Sequence, residues 1–323
     1  MIRFLLGVAE AGSFSGIILY LSTWFPIKKR AQVIALFMAA APLSSMIGSP
    51  LAGTILSMHG AFGLKGWQLM FLICTVLAGI VGVFTLFYVN DRPEKNKWLT
   101  KEETTWLIDT LAAERQSQSA GVKTSIWKGL TDIRVLTLAV VYFGTSAGLY
   151  SLNIWSPQFI KSFGLSTMQI GFANAIPPAL AAISMIMWAR HSDKTKERTW
   201  HVIGACLFAC FGFVLAGMAN SLFIAILALI IANMGISSCK PPLWSIPSLF
   251  LSGPAAAAGL AAINAIGNLG GFAGPTIIGW LKQTTGDFSL ALYCVAGMLV
   301  VSAVLTLSIE ISRKRKAMKN SLA

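Results

Sequence analysis

"MIRFLLGVAEAGSFSGIILYLSTWFP" occupies residues 1–26, and its apolar run extends 22 residues from Phe4 to Phe25. A hydrocarbon core about 30 Å thick needs about 20 helical residues to cross it, so the run is long enough to span a bilayer. Arg3 and Glu10 are seven residues apart. That is close to two helical turns, which puts both on nearly one face about 10 Å apart along the axis. A secretory signal over residues 1–16 is the competing reading, with Arg3 as its basic end and Ala9-Glu10-Ala11 as a cleavage site. Against it, the apolar run continues to Phe25, and Glu10 interrupts the hydrophobic segment that such a peptide requires.

The rest of the chain repeats the pattern. Of 323 residues, 55% are hydrophobic and only 11% are charged, more apolar surface than a soluble chain of this length can hide. Windows of spanning length fall at 4–25, 32–57, 68–90, 135–156, 168–189, 201–219, 221–250, 256–281 and 288–310. The expected fold class is therefore an all-α polytopic membrane protein with nine transmembrane helices. The separation of the sixth and seventh rests only on Ala219-Asn220.

The net charge of +13 raises the question of nucleic acid. Twenty of the 25 Lys and Arg residues fall after odd-numbered spans, three (Lys65, Lys161, Lys282) fall on the other side, and Arg3 and Lys240 lie at or within apolar spans. This is the asymmetry of cytoplasmic loops, so the charge reports topology and no nucleic-acid partner is expected. It places the C-terminus in the cytoplasm and, with nine spans, the N-terminus outside. All five cysteines sit in apolar runs, without the spacing of a disulfide framework or zinc site. Cys206 and Cys210, one turn apart, read as packing.

Residues 91–134 form the one long hydrophilic stretch, and within it Thr100 and Glu103 have capping-box spacing ahead of Trp106, Leu107 and Leu111. An amphipathic helix at the inner membrane face is expected there. The chain thus divides into a three-span bundle (1–90), a cytoplasmic loop (91–134), a six-span bundle (135–310) and a basic tail (311–323). Three spans before the loop and six after it make a lopsided layout, since two similar halves would be equal.

Several stretches carry a family likeness. "RFLLGVAEAGSFSGIILYLSTWFPIKKRAQVIALF" (3–37) resembles the fourth helix and following loop of the anion:cation symporter family of the major facilitator superfamily. "GWQLMFLI" (66–73) and "DRPEKNKWLTKEE" (91–103) resemble its sixth helix and central loop, and "SDKTKER" (192–198) its loop between helices eight and nine. "FLSGPAAAAGLAAINAIGNLGGFAGPTIIGWL" (250–281) is similar to its eleventh helix and is the most specific match. The resemblance maps the nine spans onto helices four to twelve of a twelve-helix fold. It thereby implies that the first three are lacking, a helix with charged and aromatic substrate contacts among them. It also implies proton-coupled symport of a small organic anion, such as a sugar acid, hydroxy-dicarboxylate or aromatic acid, in a bacterial inner membrane. The coupling ion is H+ and no other cofactor is expected.

An ionisable group at mid-membrane costs about 2.5–3.5 kcal/mol on insertion scales and faces a partner or a water-filled path. A carboxyl taken out of water holds its proton more tightly, so Glu10, deeper than Arg3, is the candidate for reversible protonation. A fixed interhelical ion pair is the alternative. The resemblance implies Arg3 in anion binding and Glu10 in proton coupling. Lys240 lies in "SSCKPPLWSIPSLF" (237–250), among Pro241, Pro242 and Pro247, where a lysine can attract an anion or snorkel. It departs from the small or uncharged residue usual in the family. Trp244 one turn later and Asn264 are implied as substrate contacts. Asn268, one turn past Asn264, adds a second amide, though interhelical hydrogen bonding is open to both. Tyr150, Asn153 and Gln158 form a polar stripe along the fourth span, and Gly267, Gly270, Gly271 and Gly274 give two G-x-x-x-G spacings that read as close packing.

In "ARHSDKTKER" (189–198), Asp193, Lys194 and Arg198 resemble a gating motif, while Ala189 and Lys196 stand where that motif has glycine. A solvated basic loop is the plainer alternative. Only three histidines are present (His59, His191, His201), with no metal-ligand cluster, catalytic residue or nucleophile elbow in view, so an enzyme is not expected. The remaining rival is a non-transporting remnant, since half a bundle cannot line its share of a cavity. Oligomeric state is left open.

Overall fold

In lipid no water can satisfy backbone N–H and C=O groups, so a spanning segment must bond to itself. The structure, a computed structural model, describes residues 5–8, 13–58, 60, 63–90, 93–96, 98–119, 126–247, 250–251 and 253–321. Among these residues there is no strand. The helices are α1 (Ser13–Trp24), α2 (Ile27–Ser57), α3 (Gly66–Tyr88), α4 (Lys101–Ser119), α5 (Ile126–Thr131), α6 (Ile133–Lys161), α7 (Thr167–Thr195), α8 (Thr199–Gly217), α9 (Leu222–Ser245), α10 (Gly253–Asn268), α11 (Gly270–Thr285) and α12 (Ser289–Ser321), with a 3-10 turn at Pro93–Lys95.

Six of the described helices are long and apolar enough to cross a membrane: α3, α6, α7, α8, α9 and the Ser289–Ser312 part of α12. The single span expected at 256–281 is instead two 16-residue helices, α10 and α11, meeting at Leu269. Each is about 24 Å long at 1.5 Å per residue, short of a hydrocarbon core. Pro275 within α11 has no N–H to return to Gly271. The weak boundary between the sixth and seventh windows is sharp in the structure, because the Ser221 side chain caps α9 by accepting from the Ile224 N–H. At its other end α9 stops at Ser245, short of the expected residue 250.

The helix starts follow local chemistry. Asp132 caps α6, accepts from the Arg134 N–H and pairs with the Arg134 guanidinium at 2.6 Å. Ser166 and Gln169 form a capping box at α7. The box expected at Thr100 and Glu103 is formed on α4: the Thr100 N–H donates to Glu103 Oε2 at 2.9 Å, and the Glu103 N–H donates to Thr100 Oγ1 at 3.2 Å. The Thr100 backbone N–H, and then its hydroxyl, hold the Glu103 carboxyl below its ordinary value.

The chain divides into two compact units, residues 1–41 with 70–122, and residues 42–69 with 123–323. In the first, the side chains of Phe71, Val81, Phe84 and Phe87 along α3 are exposed. Phe84 stacks on Tyr88 at 4.2 Å. The second unit is built around α6, which packs against α7, α9, α10, α11 and α12, while α8 packs against α9 and α12. Its buried apolar residues form two clusters, one around Phe213, Ile236 and Leu299, the other around Leu138, Leu243 and Ile263.

Small residues set the closest approaches. A Cβ on Gly270 would lie 2.0 Å from the Phe143 carbonyl oxygen, and one on Gly274 would lie 2.4 Å from that of Ala147, so α11 and α6 touch backbone to backbone. Gly212 and Gly235 do the same between α8 and α9. Without a solvent-driven hydrophobic term between helices, such contacts are how membrane bundles gain packing energy. Gly270→Ala, which has rigid backbone to push against, is expected to lower the unfolding midpoint of the detergent-solubilised protein by several degrees. Gly297→Ala, at a glycine with nothing within 4 Å of a Cβ, is expected to leave it unchanged or slightly raised.

Candidate functional site

The glycines that bring α10 and α11 onto α6 also decide which side chains meet there. The Tyr142 ring lies where a Cβ on Gly267 would be, 2.0 Å from its Cδ1, and the Tyr150 ring lies against Gly271 in the same way, 2.6 Å from its Cδ2. Tyr142 in turn meets Trp244 of α9 edge to face, with ring centroids 5.0 Å apart. Quadrupole attraction favours this geometry. On α10 the Asn268 Nδ2 donates to Asn264 Oδ1 at 3.1 Å. That leaves the Asn264 amino group and the Asn268 oxygen without a bond to any described residue.

Tyr150 is 41% exposed, Asn153 and Asn268 are exposed, and Asn264, Trp244 and Lys240 are half-buried. Asn153 on the spanning helix α6 and Asn268 on α10 thus carry carboxamides that protein does not cover. The second unit therefore carries an aromatic pair, Tyr142 and Trp244, a further ring, Tyr150, against Gly271, and an amide pair, Asn264 and Asn268, side-chain types able to hold hydroxyl and carboxylate groups. Of the residues singled out from sequence, Asn264 and Asn268 bond to each other, Trp244 meets Tyr142, and Tyr150 lies against Gly271. Asn153 lies on α6 one turn past Tyr150, and Lys240 lies one turn before Trp244. Arg3 and Glu10 fall outside the described residues.

Tyr142 was missed from sequence. Its signal was available, since Tyr142 and Tyr150 are eight residues apart on α6 and the glycines they meet, Gly267 of α10 and Gly271 of α11, form one G-x-x-x-G spacing.

At one end of α7 the gating-type loop is ordered by charge. Arg198 pairs with Asp193 and donates to Ser192 Oγ at 3.1 Å, and Ser192 Oγ donates to the Glu197 carbonyl at 3.0 Å. Lys194 forms no ion pair among the described residues. Behind the loop, His191 Nδ1 and His201 Nε2 share a hydrogen bond of 2.7 Å, and Trp188 donates to the His201 carbonyl at 3.0 Å. Lys196, where the resembled motif has glycine, sits at φ +56°, the left-handed region. That conformation explains the glycine and makes lysine the strained choice.

Near the other end of α7, small residues again allow close approach. A Cβ on Gly53 of α2 would lie 3.0 Å from the Gly171 Cα. Asn174 donates to Ser49 Oγ at 3.2 Å and accepts from Ser156 Oγ of α6. This α2–α7–α6 knot was also missed from sequence. Its small and polar residues are unremarkable one at a time, and only their meeting across three helices marks them.

Among the described residues no group of three or more His, Cys, Asp or Glu is placed to hold a metal. Six described helices long and apolar enough to cross a bilayer are the architecture of a polytopic membrane protein. The chain matches the model of the Major Facilitator Superfamily over residues 1–275 and belongs to that family. It is 61% identical over 307 residues to a protein of Agrobacterium vitis named for tartrate transport, covering 95% of this chain and 68% of that one. It is also 35% identical to a quinolone resistance transporter of Acinetobacter baumannii over 95% of this chain and 71% of the relative. In fold it is similar to a D-xylose-proton symporter, with a TM-score of 0.67 and 16% identity, over 90% of this chain and 65% of that chain. It is a membrane transporter of this superfamily and not an enzyme.

The loop geometry yields a test. Lys196→Gly is expected to stabilise the protein by about 0.5–1 kcal/mol, while Lys196→Val, β-branched at positive φ, destabilises it by about 1–2 kcal/mol. Thermal unfolding of both variants in detergent reads the sign.

Proposed function

We propose that the chain carries a small organic anion together with a proton by alternating access. The substrate class is a sugar acid, hydroxy-dicarboxylate or aromatic acid. The observation that carries this reading is the 61% identity to a protein named for tartrate transport, over 95% of this chain. The amide and aromatic side chains support it. Hydroxyl and carboxylate oxygens of a small hydroxy acid match the amide donors of Asn264 and Asn268, and Tyr150 and Trp244 supply aromatic surface in the same unit. In this reading Arg3 binds the anion and Glu10 carries the coupling proton. Asn153 and Lys240 line the path, and the Asp193–Arg198 loop with Lys194 gates it.

In the same reading α1, α2 and the α10–α11 pair join the six long helices to make nine crossings. It also puts the C-terminus in the cytoplasm and the N-terminus outside a bacterial inner membrane, a reading that the asymmetry of the basic residues supports. Proton binding at Glu10 and anion binding bias one two-state equilibrium, so each ligand changes the affinity for the other.

Proteoliposome uptake with labelled tartrate tests it. Glu10→Gln, which cannot exchange a proton, is expected to reduce uptake driven by an inward proton gradient at least tenfold while leaving tartrate counterflow near the native rate. Unchanged gradient-driven uptake in this variant sinks the proton role.

A further inference from the structure

Helices α8 and α9 pack backbone to backbone. A Cβ on Gly212 would lie 2.3 Å from the Ala232 nitrogen, and one on Gly235 would lie 2.5 Å from that of Ala209. About one turn along each helix from the Gly235–Ala209 contact, Cys206 of α8 meets Cys239 of α9, with the two Sγ atoms 3.7 Å apart. The two are 33 residues apart in sequence. Both are buried, at 1% and 0% exposure, within the cluster that includes Val202, Ile203 and Leu243. Towards α7 the same turn of α9 is held by Ser238 Oγ, which donates to Ser184 Oγ at 3.3 Å. Helix packing therefore sets this pair, and the spacing of the cysteines along the chain gives no sign of it.

The sulfurs are farther apart than the bond of about 2.05 Å in a disulfide, but near enough for both to bond one atom between them. With sulfur bonds of about 2.3 Å, the length a thiolate makes to zinc, the angle at that shared atom is about 107°, close to tetrahedral. A metal ion does not suit the place. Among the described residues no third His, Cys, Asp or Glu joins the pair to complete a metal site. A metal also takes cysteine as thiolate, and a bare charge is costly in an apolar core. What fits is an uncharged centre that takes up two sulfurs by exchange and carries both thiol protons away on its leaving groups.

We propose that Cys206 and Cys239 form a two-thiol binding site for arylarsonous acids, trivalent arsenic compounds with one aryl group and two hydroxyls, and that the bound arsenic staples α8 to α9. Two As–O bonds and two S–H bonds break, and two As–S bonds form. The thiol protons leave on the hydroxyls as two waters, and arsenic stays trivalent, so the exchange creates no net charge inside the bilayer. The aryl group lets the compound enter the membrane. Once one sulfur is bound, the second bond closes within the chain, at an effective concentration set by the fold. Cys74 on α3 is exposed and Cys210 and Cys294 are half-buried, so these three serve as the comparison.

Intact-mass spectrometry of the reconstituted full chain tests the site. The chain is treated with phenylarsonous acid and washed with excess 2-mercaptoethanol, which strips arsenic held by one sulfur. The native chain is expected to retain one phenylarsenic group, and the competing dithiol 2,3-dimercaptopropanol should remove it. A triple variant, Cys74→Ala with Cys210→Ala and Cys294→Ala, should retain the group in full. Cys206→Ala and Cys239→Ala should each lower retention at least tenfold. Unfolding the triple variant in guanidinium before treatment should lower it as much, because the two thiols then separate. Native retention in either single variant overturns the proposal, as does its loss in the folded triple variant or undiminished retention in the unfolded one. A native chain that keeps no arsenic overturns it outright.

Discussion

The contact on which the second unit depends is the backbone-to-backbone approach of the broken helix α10–α11 to α6. Gly270 and Gly274 lie so near the carbonyls of Phe143 and Ala147 that no side chain fits between them. Gly267, one turn before Gly270, and Gly271, directly after it, give room to the rings of Tyr142 and Tyr150. The same row of glycines therefore does two things: it joins the helices, and it seats two aromatic rings of α6. Trp155 ties the arrangement from the other side, its indole N–H donating to the Pro275 carbonyl at 3.0 Å. Pro275 itself has no N–H to return to the Gly271 carbonyl.

Interfaces of this kind suit a transporter for a physical reason. A seam of glycine, alanine and serine is tightly packed but carries few interlocking side chains, so one helix can slide or rock on another between discrete arrangements. The knot of Ser49, Asn174 and Ser156 beside Gly53 and Gly171 has the same character, with a few neutral hydrogen bonds in place of ion pairs. Such bonds hold a state without making it permanent. The opposite end of α7 is held differently, by the charged Asp193–Arg198 pair and the two histidines behind it.

Much of this was legible in the sequence. Helix class, most span boundaries and the capping box at Thr100 follow from composition, window length and local side-chain chemistry, which act over a few residues. The glycine pairs were visible as spacings, Asn268 and Tyr150 as polar positions one turn from Asn264 and along the fourth span, and Trp244 and Asn264 through the family likeness. What escaped was nonlocal. The break at Leu269 is not marked by any residue at the site itself, because Leu269 keeps right-handed helical angles (φ −60°, ψ −26°). Tyr142 looked like any aromatic in a spanning helix until Gly267 and Trp244 were found on either side of it. The role of Lys196 reversed in meaning: a departure from glycine became a strained left-handed residue once its φ was known.

The central claim is that anion and proton move together through this chain. It is tested most directly by recording luminal pH in proteoliposomes loaded with a pH-sensitive dye, with no pH gradient and the membrane potential clamped, while tartrate is added outside. Symport predicts that the lumen acidifies as tartrate enters, at a rate that saturates with tartrate concentration. Tartrate entry with no change in luminal pH, or with alkalinisation, would contradict it.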